Sequence, residues 1–366
     1  MNFPPNNLSS FHVDVLQDTH LGKICGTEEV FRERYQILRM LGRGGFGVTF
    51  LAKDIYLPSQ PLCVIKQLCP KFADLPALES ARERFEREAK TLSLLGSHSQ
   101  IPRLLDYFVI DGEFYLVQEY VRGYTLARLI RRVGPLSELG LRKFLLEILP
   151  LLKYIHSNRV IHRDIKPQNI LRCQDDGRLV LIDFGAVKEI AQMGDTSEKA
   201  PTTNFIGTVG FAPPEQFSLR PTYSSDIYAL GVTCLYLLTA KPPLDFTSDR
   251  RTGEIAWRQE VQVSPALGRI LDKMLKISVQ SRYQSADAIL KDLQEGASLD
   301  NLASCMTAQI PQPKDVKPQP SPENNHNPYN RAAVGIRDWK ARLQAKQQRD
   351  RTRRMHEILR NSSSSV

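Results

Sequence analysis

The chain has 366 residues, 42% of them hydrophobic, and a formal net charge of +9 at pH 7. That length and apolar content exclude a single small domain and leave room for a two-lobed body with appendages. The charge is local: from Arg331 onward ten Lys or Arg stand against Asp338, Asp350 and Glu357, so most of the excess sits in the C-terminal tail and the rest of the chain is close to neutral.

Six cysteines (Cys25, Cys63, Cys69, Cys173, Cys234 and Cys305) are scattered with no Cys-x-x-Cys pair and no zinc-like spacing, and are read as reduced thiols. No apolar run approaches the roughly 18 residues of a membrane span. Met1 to Ser10 is polar and Pro/Asn-rich rather than signal-like, so the expected location is the cytoplasm.

In chain order, residues 1–34 show no clear period and are read as an N-terminal extension of unknown structure. The compact part is expected to start near Tyr35. Short β-like runs (YQILRML, VTFLAKD, CVIKQL) then alternate with one helical stretch, Leu78 to Leu95, rich in Glu and Arg. From about Thr125 to Leu293 helical periodicity dominates, in LRKFLLEILPLLKYIHS and SSDIYALGVTCLYLLTA, with one β-like pair between. The fold class is α+β: a small β-rich lobe with one helix over 35–121, a larger helical lobe over 122–295, and a cleft between them where ligands commonly lie. Residues 296–330 are Pro-, Asn- and Gln-rich, a composition that cannot repay the entropy of ordering, and are expected to be a flexible linker. Residues 331–366 form a basic tail.

The segment LGRGGFGVTF sets Gly42, Gly44 and Gly47 in G-x-G-x-x-G spacing. Such a loop lets backbone N–H groups approach phosphate, but the same spacing opens dinucleotide-binding folds, and a plain glycine-rich hairpin is the bland alternative. Here the chain continues as a strand rather than a helix, which fits a loop folded over ATP. Downstream, Lys66 lies in an apolar strand. Alone it would be an edge residue with its amine in water; paired with a helix glutamate such as Glu88 it becomes a positioned cation for the α- and β-phosphates. Glu79, Glu83 and Glu86 stand on the same helix, so spacing alone does not select Glu88.

The most specific signal is VIHRDIKPQNIL followed by LVLIDFGAVK. Phosphoryl transfer needs a carboxylate to orient the attacking hydroxyl, and oxygen ligands to hold Mg2+ against the triphosphate. Asp164 suits the first role, and Asn169 and Asp183 the second. Against this stands the reading that these polar residues merely cap turns.

Taken together, the glycine loop, Lys66, Glu88, HRDIKPQN and DFG resemble the eukaryotic-like (Hanks-type) serine/threonine protein kinase family, over about residues 35 to 293. The resemblance implies that Asp164 is the catalytic base, that Lys66 and Glu88 form an ion pair, and that Asn169 and Asp183 bind Mg2+. Lys166 looks like the lysine that meets the γ-phosphate in serine/threonine-specific members. Leu41, Gly42, Arg43, Gly44, Gly45, Phe46, Gly47, Thr49, Val64, Glu119 and Val121 would join Lys66 and Glu88 around ATP.

Further along, NFIGTVGFAPPEQF resembles the end of the family's activation loop, with Thr208 and Glu215 matching its threonine and structural glutamate. Asp226 starts a buried helix, and Arg282 would pair with Glu215. Thr49, Val64 and Pro213 depart from the commonest pattern; Val64 is expected to narrow the nucleotide pocket. These variants look like the bacterial, cyanobacterial-like branch.

Arg163, before the base, implies a basic pocket for a phosphate on the loop from Asp183 to Glu215, where Thr196, Ser197, Thr202 and Thr203 are autophosphorylation candidates. Protein serine or threonine side chains are the expected substrates. For the tail, a solvated helix with a ragged apolar edge is weighed above a binding element for an anionic partner (membrane surface, nucleic acid or acidic protein). A pseudokinase scaffold and a small-molecule phosphotransferase of related fold are the alternatives.

Overall fold

The computed structural model describes residues 19–43, 47–68, 75–189 and 208–305. Its first elements are a short helix α1 (His20–Lys23) and the strands β1 (Val30–Phe31), β2 (Tyr35–Arg43), β3 (Gly47–Asp54) and β4 (Leu62–Leu68). Helix α2 (Leu75–Leu95) follows, then β5 (Leu104–Ile110) and β6 (Glu113–Glu119). The strands form one antiparallel sheet in the order β1-β2-β3-β4-β6-β5. Helix α2 starts three residues before the expected Leu78.

Strands of this sheet are apolar on both faces, so both must be covered. On one face Leu68, Phe114 and Leu116 pack with Phe85 and Leu92 of α2. On the other, Ile37, Phe50, Ile65 and Val117 pack with Leu21, Ile24 and Phe31. Residues 19–34, read from sequence as an extension of unknown structure, thus supply part of the cover of this sheet. A four-residue helix and a two-residue strand are too short to show a period, which is why the segment reads as featureless. Thr19 caps α1, its hydroxyl accepting the Gly22 N–H at 3.0 Å, and the Phe31 ring lies 4.8 Å from that of Tyr115.

The larger lobe continues with β7 (Gly123–Thr125), α3 (Leu126–Val133), α4 (Glu138–Ser157), β8 (Val160–Ile161), β9 (Ile170–Cys173), β10 (Leu179–Leu181) and β11 (Lys188–Glu189). After residue 207 come α5 (Pro214–Phe217), α6 (Tyr223–Thr239), α7 (Pro265–Met274) and α8 (Ala286–Cys305). Ser137 caps α4, and its apolar residues Leu141, Phe144, Leu145, Ile148, Leu149, Leu152 and Ile155 recur at three and four, giving one buried stripe. Helix α6 is buried on all sides from Ser224 to Leu238, as befits the central rod of the lobe. One continuous apolar core joins Phe85, Leu92 and Phe114 of the small lobe to Leu145, Ile148, Leu230 and Leu271 of the large one. Each such buried side chain contributes roughly 1.5–3 kcal/mol. Among the described residues no helix is long and apolar enough to cross a membrane.

Candidate active site

The cleft wall follows from strand register. Facing residues of an antiparallel pair share a face, and the ladder sets Thr49 opposite Lys66, Val64 opposite Gln118 and Lys66 opposite Leu116. Thr49, Val64, Lys66 and Gln118 therefore project to the same side of the sheet. Gln118 escaped the sequence reading; the signal that finds it is the β4–β6 register rather than any motif. Leu41, Gly42 and Arg43 end β2 and Gly47 begins β3, while Gly44, Gly45 and Phe46 lie outside the described residues. At the junction of the lobes the Glu119 N–H donates to the Arg103 carbonyl at 2.9 Å. Val121, just beyond, packs with Cys173 and Val180 below.

Lys66 is the hub of the charged groups. Its Nζ lies 2.7 Å from Glu88 Oε2 and 2.9 Å from Oε1, and 3.2 Å from Asp183 Oδ1. Burial works against the ammonium, but the Asp183 and Glu88 carboxylates outweigh it and raise Lys66 above the ordinary lysine range. Burial also raises Glu88, against the pull of Lys66. Asp183, half-exposed, is lowered, first by the Lys66 charge. Of the four glutamates that sequence offered on α2, Glu88 is the one bonded to Lys66. Gly185 explains why the triplet ends in glycine: a Cβ there would sit 3.2 Å from Glu88 Oε2 and 3.4 Å from both Asp183 Oδ1 and Lys66 Nζ.

Below the cleft, Arg163 and Asp183 hold left-handed backbone, with φ of 69° and 65°, a strained conformation for non-glycine residues that persists only where its surroundings enforce it. The enforcement on Arg163 is visible. Asp226, at the start of α6, accepts the N–H groups of His162 and Arg163 at 2.8 Å each, with His156 Nε2 at 2.9 Å. Phe184 is buried edge-on against the His162 ring, 4.9 Å between centroids, which leaves Asp183 turned toward Lys66. Asp164 has both oxygens engaged. Oδ1 accepts the Thr208 hydroxyl at 2.7 Å, and Oδ2 accepts Lys166 Nζ at 2.7 Å and Asn169 Nδ2 at 2.9 Å. Lys166 Nζ also donates to Thr208 Oγ1 at 2.7 Å.

The family described as "Protein kinase domain" matches residues 35–293. The chain belongs to the protein kinase family. It is 49% identical over 288 residues, 78% of this chain and 50% of the relative, to "Serine/threonine-protein kinase B" of Synechocystis sp. strain PCC 6803. It is 45% identical over 272 residues to "Serine/threonine-protein kinase PknA" of Nostoc sp. strain PCC 7120, covering 74% of this chain and 48% of that one. With "Serine/threonine-protein kinase C" of the same Synechocystis strain the identity is 42% over 303 residues, 82% of this chain and 56% of the relative. The chain spans about half the length of these curated relatives.

Two further features of this kinase domain lie away from the cleft wall. Arg282, wholly buried, reaches Glu215 with Nη1 at 2.6 Å and Nη2 at 3.1 Å, and Ser225 Oγ donates to the same carboxylate at 2.8 Å. The Arg163 guanidinium is pushed down to about 10, chiefly by burial, with Asp226 opposing and Arg87 and Arg84 of α2 adding repulsion. Its Nε is buried with no hydrogen-bond partner among the described residues. Thr196, Ser197, Thr202 and Thr203 lie outside the described residues, as does the tail 331–366.

The kinase family implies ATP and Mg2+, and the donors fit that cation. Mg2+ keeps several waters and takes one or two protein carboxylates plus substrate phosphates rather than a full protein cage. Asp183 offers a half-exposed carboxylate. Asn169 has its Nδ2 committed to Asp164, so its amide oxygen is the atom left for a cation. Among the described residues no cluster of three or more His, Cys, Asp or Glu exists that would form a dedicated cage.

Proposed function

We propose that this chain is a serine/threonine protein kinase that transfers the γ-phosphoryl group of ATP to hydroxyl groups of protein substrates. The observation that carries the reading is the set of contacts from Glu88 through Lys66 to Asp183, beside the Asp164–Lys166–Thr208 triangle, with every link at 3.2 Å or less. In this reading Asp164 orients the substrate hydroxyl and takes its proton as the oxygen attacks phosphorus. Lys166 neutralises charge on the transferring group, and Thr208 holds Asp164 and Lys166 in one geometry. Lys66, braced by Glu88, holds the α- and β-phosphates, and the backbone from Gly42 to Gly47 covers them. Leu41, Thr49, Val64, Glu119 and Val121 receive the base, with Gln118 beside them. Asn169 and Asp183 hold Mg2+, which when bound screens the charge of the triphosphate.

Regulation follows the same chemistry. Arg163, with Arg84 and Arg87 close enough to repel it, is a concentration of positive charge that a phosphate on Thr196, Ser197, Thr202 or Thr203 would neutralise. Autophosphorylation there is the proposed activating step, and active enzyme whose loop is unmodified by mass spectrometry would overturn it. Helix α8 continues to Cys305, ten residues past the boundary read at 295. The start at 35, the lobe boundary at 121, a linker from the end of α8 to 330 and a cytoplasmic location remain part of the same proposal. The basic tail is assigned a solvated helix; a tail-truncated chain that loses binding to anionic vesicles, nucleic acid or an acidic protein would instead assign it a partner.

The test is transfer of labelled phosphate from ATP and Mg2+ to a generic basic protein, comparing wild type with Asp164→Ala and Lys66→Ala. Activity in wild type alone supports the kinase reading. A silent wild type that binds nucleotide points to a pseudokinase scaffold, and transfer only to small metabolites points to a small-molecule phosphotransferase.

A further inference from the structure

Gln67 follows Lys66 on β4, so its side chain projects from the opposite face of the sheet. There it is wholly buried within the apolar layer formed by Leu21, Phe31, Ile65 and Tyr115. Its Oε1 accepts the Leu21 N–H at 3.3 Å. Its Nε2 donates to Glu113 Oε2 at 2.6 Å and meets the Tyr115 hydroxyl at 3.5 Å, and that hydroxyl donates to the same Glu113 oxygen at 2.6 Å. A buried amide must have its polar atoms paired to avoid a penalty, and an apolar residue of equal volume would fill such a layer with no such demand. What the amide adds is a fixed geometry.

The backbone of Gln67 is held equally closely. Val48 pairs with Gln67 and Gly47 with Leu68, and a Cβ on Gly47 would fall 2.3 Å from the Gln67 carbonyl oxygen. One residue therefore touches three parts of the molecule: Lys66 through the peptide bond, the base of the glycine loop through its carbonyl, and the segment 19–31 through its amide. We infer that Gln67 is a positioning residue for phosphate binding, through which docking of residues 19–31 sets the placement of Lys66 and Gly47. Undocking that segment removes the donor to Oε1, frees the amide to turn, and lets the end of β4 shift under the glycine loop.

The inference rests on the kinase reading, and two readouts separate them: affinity for a fluorescent ATP analogue with Mg2+, and the KM for ATP against the KM for a protein substrate. In the full chain, Gln67→Met and, independently, Leu21→Ala are expected to weaken ATP affinity and raise its KM about 5- to 20-fold. The KM for protein substrate stays within twofold. Their double variant is no worse than the stronger single one, because both act through one link. The exchange Gln67→Glu with Glu113→Gln keeps an acceptor for Leu21 and a donor–acceptor pair between 67 and 113, and restores ATP affinity. Gln67→Met or Leu21→Ala that lowers the melting temperature while leaving ATP affinity unchanged overturns the inference. If Gln67→Met does not fold, Leu21→Ala and the exchange decide. A wild type that binds ATP without transfer overturns the kinase reading alone.

Discussion

The Thr208 hydroxyl donates to Asp164 Oδ1 at 2.7 Å while accepting Lys166 Nζ at the same distance. One hydroxyl thus ties the residue nearest the proposed proton transfer to the cation beside it. Thr208→Val keeps the volume and removes both bonds; its kcat is expected to fall about 100-fold with the KM for ATP little changed. Thr208→Ser keeps the hydroxyl and should recover most of the rate. Steady-state kinetics on both variants checks this, and a Val variant as fast as wild type would remove Thr208 from the site.

Lys66→Met leaves Glu88 buried without its cation. Transfer is expected to drop by roughly 100- to 1000-fold. The stability of this variant carries a pH signature of known sign. Burial already raises the Glu88 carboxyl, and without Lys66 it rises further, so the folded state holds a proton that the unfolded state releases above about 4.3. Stability of Lys66→Met therefore falls as pH rises from about 5 toward 8. Adding Glu88→Gln flattens that slope, as thermal melts across the range would reveal.

The Arg282–Glu215 pair has the opposite sign. Burial opposes ionisation of Glu215, but the bonds from Arg282 and Ser225 prevail and hold it below the usual carboxylate range. Its contribution is present above the ordinary value of about 4.3 and is lost as pH falls through the lower folded value. Glu215→Ala strands a buried guanidinium and is expected to cost about 3 kcal/mol at pH 7. Denaturant titrations of both proteins should converge as pH is lowered toward 3.

Two glycines of the loop should respond differently to the same change. Among the described residues nothing lies within 4 Å of a Cβ built on Gly42, whereas one on Gly47 collides with the Gln67 carbonyl. Gly42→Ala is expected to stay within about 0.5 kcal/mol of wild type. Gly47→Ala should cost about 1–3 kcal/mol, with weaker ATP affinity. Melting temperature and nucleotide titration together test the contrast.

Legibility in the sequence varied with how local the cause was. Asp164, Lys166 and Asn169 sit within six positions of each other, and the DFG triplet follows one short hairpin, so string and site nearly coincide. Glu88 was harder, because four glutamates on α2 compete and only packing against β4 selects among them. Gln118 was invisible, since its placement comes from a cross-strand register that no neighbouring residue announces. The cover of residues 19–31 was hidden by brevity, yet its necessity was written in CVIKQL. There Cys63, Ile65 and Gln67 face one way and Val64, Lys66 and Leu68 the other, and all but the partly exposed Lys66 are buried. A strand apolar on both faces demands two partners, and residues 19–31 supply part of the second.

The apolar core that runs unbroken from α2 into the helical lobe bears on how the two lobes can move against each other. Leu95 and Ile101, at the seam between lobes, belong to the same buried cluster as Leu145 and Phe184. Separating the halves there would expose oily surface to water at roughly 25 cal/mol per Å2. Rotation about the seam keeps those atoms in contact. Under the proposed function, nucleotide exchange would then proceed by rotation about this seam, with the shared core kept closed.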